Sequence, residues 1–249
     1  MVVAGARVGI VAFTDRGSGE LRLARPGAEA EDQGMSALFR DRLDAGRRLA
    51  AALAAARLGD AVVVGLARGG VTVAAEVARS LGLPLDALAV RKIGYPGQPE
   101  YGIGAVTPGA GGVYLRSDEG LGDGELRRVI DRARAEADAL DRALHERHPR
   151  LSVRGRTAVL VDDGLATGAT MVAAVRWARA EGAARVVVAV PVGAAQSARA
   201  LREEADEVVC PHEQRHFGAV GFWYETFTQV ENDEVVALLD ELGTSSPAS

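Results

Sequence analysis

Short apolar runs recur along the chain and predict buried β-strands. They lie at residues 61–66, 85–90, 158–161 and 185–191, with a last short run at 207–210. Runs of this length with few polar side chains are typical of strands that are covered on both faces, as in parallel sheets. Amphipathic helical patterns separate them. This alternation predicts an α/β fold, a doubly wound parallel β-sheet of about five strands flanked by helices.

Helical spacing of apolar residues marks the segments between these strands. The first predicted helix begins at Met35 and carries leucines at its apolar positions, namely Leu38, Leu43, Leu49, Leu53 and Leu58. Further helices are predicted at 71–81, 123–148, 171–181 and 197–204, and a last one, capped by Asn232, at 233–242. Arginines and acidic residues alternate on the outer face of 123–148, which favours a solvated surface over a nucleic-acid patch.

The two ends of the chain differ from the rest. Residues 1–34 are rich in Gly, Ala, Arg and Glu, and we interpret them as a poorly ordered N-terminal extension in which residues 8–13 add one short edge strand. Residues 35–242 are predicted to form the main domain, with a small hood at 205–230, and residues 243–249 a flexible tail.

Composition excludes several classes of protein. The 249 residues are 48% apolar and 25% charged, as in soluble globular proteins, and the net charge of −5 gives no basic field that favours nucleic acid or an anionic membrane. Cys210 is the only cysteine, so an internal disulfide is excluded and a reducing, cytoplasmic location is predicted. No apolar run approaches the ~20 residues that span a bilayer, and residues 1–13 do not resemble a secretory signal.

The stretch 157–170 carries the clearest chemistry in the chain. A predicted strand ends at two adjacent carboxylates, Asp162 and Asp163, and a Gly/Thr loop then leads into the next predicted helix. Backbone N–H groups at such a turn suit a phosphate dianion, to which Thr167 and Thr170 add hydroxyl donors. The carboxylates suit ribose hydroxyls, or Mg²⁺ held through water. A P-loop matches less well, because no Gly-Lys-Ser/Thr closes this loop.

The sequence VDDGLATGAT at 161–170 resembles the phosphoribosyl pyrophosphate (PRPP) signature of type I phosphoribosyltransferases, most closely that of the adenine-type members. By that resemblance, Asp162 and Asp163 hold the ribose hydroxyls and the Mg²⁺ shell. The 5-phosphate is then bound by the loop residues Ala166, Thr167, Gly168, Ala169 and Thr170. Hypoxanthine-guanine enzymes carry an aspartate where this chain has Ala166, so a 6-oxopurine handled by that carboxylate is disfavoured.

A second strand–loop–helix unit has the loop sequence Ala67-Arg68-Gly69-Gly70. Its glycines let backbone amides approach an anion closely, and Arg68 offers a forked donor; the alternative is a tight turn with an exposed arginine. The loop resembles the pyrophosphate loop of the same family, in the form found in xanthine-type members. The resemblance implies that this loop binds the pyrophosphate group of PRPP and that the Ala67–Arg68 peptide bond is cis. Because this loop does not match the adenine type, the acceptor base stays open.

From Ile93 onward the chain is rich in Gly and Pro, which predicts a mobile loop or, alternatively, a solvated hairpin. Type I phosphoribosyltransferases carry a flexible loop here that closes over PRPP. Lys92, Glu100 and Tyr101 are therefore candidate contacts. Residues 104–107 and 113–116 are predicted to pair as a hairpin.

Five aromatic residues gather at 217–227, although aromatic residues make up only 4% of the chain. A nucleobase needs such flat apolar surface to stack on. The segment is similar to one in hypoxanthine-guanine-type enzymes, which makes Phe217 the candidate for stacking on the base and Val220 a candidate backbone contact. The alternative is a small core under the hood. A zinc site at Cys210, His212 and His216 lacks a clear fourth ligand.

These features together predict a phosphoribosyltransferase, which is a pentosyltransferase, of nucleotide salvage. It would use PRPP and a nitrogenous base to give a nucleoside monophosphate and pyrophosphate. The resemblance implies catalytic roles for Asp162, Asp163, Arg68 and Lys92, Mg²⁺ as cofactor, a homodimer, and no nucleic-acid or membrane partner. It also makes Met35, which opens the first helix, an alternative start of the native protein. The other hypothesis is a non-catalytic regulator that senses PRPP or a nucleotide, which the lack of a DNA-binding domain disfavours.

Overall fold

The computed structural model describes residues 12–14, 21–23, 37–109, 112–116 and 120–243. The chain divides into two units, Met1–Ser36 and Ala37–Ser249. In the first unit, β1 (Ala12–Thr14) pairs antiparallel with β2 (Leu21–Leu23). The edge strand predicted at 8–13 overlaps β1 at its last two residues, and the rest of that segment lies outside the described residues. The predicted domain limits and the hood at 205–230 stay predictions.

The second unit alternates strands and helices along the chain. In order, its elements are α1 (Arg42–Leu53), β3 (Ala61–Ala67), α2 (Gly69–Leu81), β4 (Leu85–Ala89), β5 (Arg91–Tyr95), β6 (Gln98–Val106), β7 (Val113–Leu115), α3 (Asp123–Leu144), β8 (Thr157–Val161), α4 (Ala169–Ala180), β9 (Arg185–Ala189), β10 (Val192–Ala194), α5 (Ala195–Leu201), β11 (Glu207–Val209), β12 (His212–Gln214), a 3₁₀ turn (Val220–Trp223) and α6 (Asn232–Leu242). Among these helices, none is both long and apolar enough to cross a membrane.

Five parallel strands form the central sheet in the order β11-β9-β8-β3-β4, so β8 is its middle strand. Side chains alternate between its faces: Val63 packs with α1, α2 and α6, whereas Val62 and Val64 pack with α4. Because both faces are covered by helices, the strands are apolar throughout. The predicted doubly wound parallel sheet of about five strands is confirmed.

The Gly- and Pro-rich segment forms a β-hairpin, which was the alternative to a mobile loop. β5 and β6 pair antiparallel, with Gly94 opposite Gly102, and Gly97 turns the chain at a φ of 76°. β7 pairs with the far end of β6, as predicted. The buried side chains of Ile93 and Ile103 pack with Val129 of α3. Two apolar anchors therefore hold strands whose glycines and prolines alone would favour a loop.

The starts of helices α1 and α6 differ from the sequence prediction in how they are capped. Helix α1 begins at Arg42 rather than Met35, because the Asp41 side chain caps it by accepting from the Asp44 N–H at 2.8 Å. Leu43, predicted to be a core position, is 39% exposed. Helix α6 is capped by Glu231 rather than Asn232, through a reciprocal capping box with Glu234.

Candidate active site

The two predicted anion loops meet at the carboxyl edge of the central sheet. β3 and β8 are neighbours, with Gly65 opposite Val161, so the ARGG loop and the acidic pair leave the sheet side by side. A Cβ atom on Gly70 would lie 2.9 Å from Asp162 Oδ1, and the corresponding position on Gly69 is also filled by a carboxylate oxygen. Each glycine therefore provides the space that one carboxylate occupies.

The ARGG loop leads directly into a helix. The Ala67–Arg68 peptide is cis, as the family resemblance implies. Helix α2 begins at Gly69, and no side chain caps it at Arg68. The first N–H groups of a helix have no partner within it and suit an anion. The geometry at Gly69 and Gly70 thus combines free amides with the positive end of a helix dipole.

The carboxylates of the acidic pair, Asp162 and Asp163, are half-buried, and their negative charges repel each other. The Asp163 N–H donates to Asp162 Oδ1 at 2.9 Å. Burial raises the pKa of Asp162 well above its usual range, and the negative charge of Asp163 raises it further. Burial also raises the pKa of Asp163, against the attraction of the Arg42 guanidinium. Lys92, which is exposed, attracts both carboxylates. The pair would therefore be stabilised by a further cation.

The loop at 164–168 is anchored by hydrogen bonds to the next strand, β10. The Leu165 N–H donates to the carbonyl of Val192 at 3.0 Å, and the Leu165 carbonyl accepts from the Ala194 N–H at 2.7 Å. The Ser197 hydroxyl donates to the Ala166 carbonyl at 2.5 Å.

Helix α4 then begins at Ala169, directly after Gly168, whose φ of 79° lies in the left-handed region. No side chain caps α4 at Gly168, so its first amides can donate to a phosphate. Thr167 is exposed and Thr170 half-buried, so both predicted hydroxyl donors lie at the loop surface.

Arg68 lies on the side of the loop that faces α3 and α6. Its Nη1 is 3.3 Å from Glu231 Oε2. A cavity of about 420 Å³ lies beside it, lined among others by Arg91, Glu136 and Asn232. Burial lowers the pKa of Arg91, Glu136 opposes this effect, and the positive charge of Arg68 adds to it. Arg91 was not among the predicted site residues, although its place directly after a strand was a usable signal.

Arg68 and Arg91 thus lie together beside this cavity. The guanidinium of a third, Arg42 of α1, donates from Nε to Asp163 Oδ2 at 2.8 Å. Sequence reasoning missed Arg42, because helix α1 lies far from the acidic pair along the chain.

The two predicted base contacts, Phe217 and Val220, belong to the same hydrophobic cluster but differ in burial. Phe217 is 7% exposed, and its ring stacks on that of Trp223 at a centroid distance of 5.8 Å. It belongs to a small core with Phe39 and Tyr224, which is the alternative that the sequence left open. Val220 is half-buried and lies against the loop at 164–168, because a Cβ atom on Gly164 would lie 2.6 Å from its Cγ1. Val220 therefore lies against the loop, and Ala166 of the same loop packs against the small core that contains Phe217.

The remaining candidates lie on the hairpin or outside the site. Tyr101 is 43% exposed, and its ring packs 6.2 Å from that of Tyr95. The side chain of Glu100 lies outside the described residues. In the described part of the chain, no three His, Cys, Asp or Glu side chains cluster as metal ligands, so Cys210, His212 and His216 do not form the zinc site that was considered.

The fold, with its two strand–loop–helix units, is that of the phosphoribosyl transferase domain family. Residues 36–225 match the phosphoribosyl transferase domain family, and the chain belongs to that family. Its members are pentosyltransferases, so the enzyme class predicted from the sequence is confirmed at the level of the family.

Several known proteins are similar to this chain. Two from Mycobacterium tuberculosis (strains CDC 1551 / Oshkosh and ATCC 25618 / H37Rv), each named "Putative phosphoribosyl transferase", are 46% identical over 208 residues. The match covers 82% of this chain and 46% of each relative, so the chain spans about half the length of these relatives. The crystal structure of TT1426 from Thermus thermophilus is 43% identical, with a TM-score of 0.70, and the match covers 82% of this chain and 98% of that one.

Proposed function

We propose that this chain transfers the 5-phosphoribosyl group of PRPP to a nitrogenous base and releases pyrophosphate. The observation that carries the proposal is the contact between the ARGG loop and the acidic pair at one sheet edge. PRPP carries phosphate at both ends of a ribose. Two amide-rich loops with two carboxylates between them match that distribution of anions and hydroxyls.

Each group of the substrate then has a set of partners. The amides and hydroxyls of residues 166–170 bind the 5-phosphate, and the ARGG loop binds the pyrophosphate. Asp162 and Asp163 accept hydrogen bonds from the ribose hydroxyls. The base binds beside Val220, which lies against the loop at Gly164.

Transfer forms a bond between the ring nitrogen of the base and C1 of the ribose while the C1–O bond to pyrophosphate breaks. The bonding electron pair leaves with the pyrophosphate, which also takes up the proton that the ring nitrogen loses. The protein's contribution is to orient the two reactants and to stabilise the charge that grows on the leaving group, through Arg68, Lys92 and the α2 amides. No protein nucleophile takes part in this step.

The acidic pair also fits Mg²⁺. Two adjacent half-buried carboxylates with raised pKa values offer hard oxygen ligands, and Arg42 offsets the charge of only one of them directly. When bound, the ion would neutralise part of the pyrophosphate charge. Asp162 and Asp163 would hold it directly or through water.

The test is release of pyrophosphate from PRPP in Mg²⁺ buffer with each member of a panel of purine and pyrimidine bases. We expect release with one base class, and loss of release in Asp162→Asn and Asp163→Asn. PRPP binding without release from any base would instead favour a PRPP-sensing regulator. If PRPP does not bind at all, the proposal is wrong.

A further inference from the structure

Arg42 is held from three sides at the acidic pair. Its Nε donates to Asp163 Oδ2 at 2.8 Å, and its Nη1 donates to the carbonyl of Thr228 at 2.7 Å. The guanidinium carbon lies 3.9 Å from the ring centroid of Phe227. The side chains of Arg42 and Asp163 are only 10% and 15% exposed. This pair is therefore built into the fold, unlike a surface ion pair.

The same contacts fix the direction of the carboxylate. A guanidinium is a planar fork, and stacking on an aromatic face together with hydrogen bonds at two nitrogens leaves it one orientation. The Tyr224 hydroxyl donates to the backbone carbonyl of Asp163 at 2.6 Å, which fixes the main chain at that residue as well. Contacts from helix α1 and from segment 224–228 thus fix both the side chain and the main chain of Asp163.

We propose that Arg42 is a positioning residue of the PRPP site, which holds the Asp163 carboxylate in the direction in which it meets the ribose hydroxyls. The inference rests on the proposed function. The close packing at Gly69 supports the positioning role of Arg42. A Cβ atom on Gly69 would lie 3.0 Å from Arg42 Nε and would also lie against Asp163. The guanidinium, the carboxylate and the pyrophosphate loop are therefore packed together, and a displaced carboxylate would move into the ligand's space.

Binding of PRPP by the full chain in Mg²⁺ buffer, measured by calorimetry, tests the role. Arg42→Met keeps the length of the side chain and removes its donors. We expect it to weaken PRPP binding about tenfold or more, because the hydrogen bond that is lost joins two charged groups. Arg48→Met is the matched control: Arg48 lies in the same helix and pairs with Asp44 at 2.9 Å, but is 54% exposed. It should bind PRPP like the wild type.

A double-mutant cycle decides whether Arg42 acts through Asp163. If it does, Arg42→Met weakens binding in the wild type but adds no further loss in an Asp163→Asn background. Additive losses, or unchanged binding in Arg42→Met, would overturn the inference. If the wild type itself binds no PRPP, the proposed function has failed, and this is seen before any variant is measured.

Arg42→Lys is a second variant, which tests the same role if Arg42→Met does not fold. It keeps the positive charge but replaces the planar fork by a single ammonium. We expect several-fold weaker PRPP binding with a melting temperature close to that of the wild type. Wild-type affinity in a folded Arg42→Lys protein would show that charge alone suffices, and the positioning role would be wrong.

Discussion

A Cβ atom on Gly69 would lie 2.3 Å from Oδ2 of Asp163. This distance is far below van der Waals contact, so the ARGG loop and the acidic pair fit together only while position 69 is glycine. The neighbouring Gly70 is constrained by backbone too, since its Cβ would lie 2.8 Å from the carbonyl oxygen of Val161. The two loops thus form one site, although each is built by its own strand and helix.

Gly69→Ala should therefore damage the site more than the fold. The added methyl group pushes the Asp163 carboxylate away from its place, because a side chain yields more easily than backbone. We expect PRPP affinity, measured by calorimetry, to fall about tenfold, which corresponds to about 1.4 kcal/mol. The melting temperature should change by only a few degrees.

Gly124→Ala is the control for this substitution. Nothing lies within 4 Å of a Cβ atom at Gly124, in the first turn of α3, so alanine there should leave PRPP binding unchanged. Equal affinities in Gly69→Ala and Gly124→Ala would show that position 69 tolerates a side chain when ligand binds.

Ser197→Ala should loosen the loop at 164–168, the proposed site of the 5-phosphate. The Ser197 hydroxyl donates to the Ala166 carbonyl at 2.5 Å, and the alanine variant loses this bond, worth about 1 kcal/mol. We expect PRPP binding to weaken several-fold at nearly unchanged melting temperature. Ser152→Ala removes an exposed acceptor of the Arg154 N–H and should not affect binding. A larger effect from Ser152→Ala than from Ser197→Ala would contradict this assignment.

Asp162→Asn should stabilise the folded protein while it impairs ligand binding. The pKa of Asp162 is raised by burial and by Asp163, so the folded state holds the proton more tightly than the unfolded chain. At neutral pH, ionisation of this group therefore costs folding free energy. Asparagine removes that cost and still accepts from the Asp163 N–H.

Thermal unfolding at pH 7 without ligand measures the effect, and each kcal/mol gained should raise the Tm by roughly 2–4 °C. The gain should shrink as the pH is lowered, because wild-type Asp162 is then protonated. A lower Tm in Asp162→Asn at pH 7 would mean that the carboxylate stabilises the fold.

His145 should make the stability of the fold depend on pH in the alkaline range. Its Nε2 lies 2.9 Å from Oδ1 of Asp86, which is 2% exposed, and its Nδ1 lies 3.3 Å from Oδ1 of Asp141. Burial lowers the pKa of His145, but the bonds to Asp141 and Asp86 outweigh it and raise the pKa to about 9. Arg150 also faces this group and opposes the rise.

Since the folded pKa lies above the unfolded value of 6.5, the stabilisation is fully present below pH 6.5 and is lost as the pH rises through 9. Urea unfolding between pH 6 and pH 10 should show a loss on the order of 3 kcal/mol. His145→Gln should remove this slope. A profile equally steep in the variant would assign the slope to other groups. Cys210 contributes to the slope only above about pH 9, because burial raises the pKa of its thiol from 9.0 to about 12.

Strands and loops were predictable because their signals are local. The run at 158–161 and the acidic pair after it are read from neighbouring residues, and β8 ends at Val161, directly before Asp162. Where the only local signal was a high content of Gly and Pro, it did not distinguish a mobile loop from a hairpin. The Gly- and Pro-rich segment became a hairpin, because Ile93 and Ile103 are buried against α3.

The sequence by itself determined the parallel α/β order, the two anion loops and the family to which they belong, since short motifs carry these features. Only the tertiary structure decided that Arg42 reaches Asp163, that Phe217 is buried in a small core with Phe39, and that Asp86 pairs with His145. The physical reason is the same in each case. These pairs join residues that are not neighbours along the chain, and they form only when sheet order and helix packing bring their segments together.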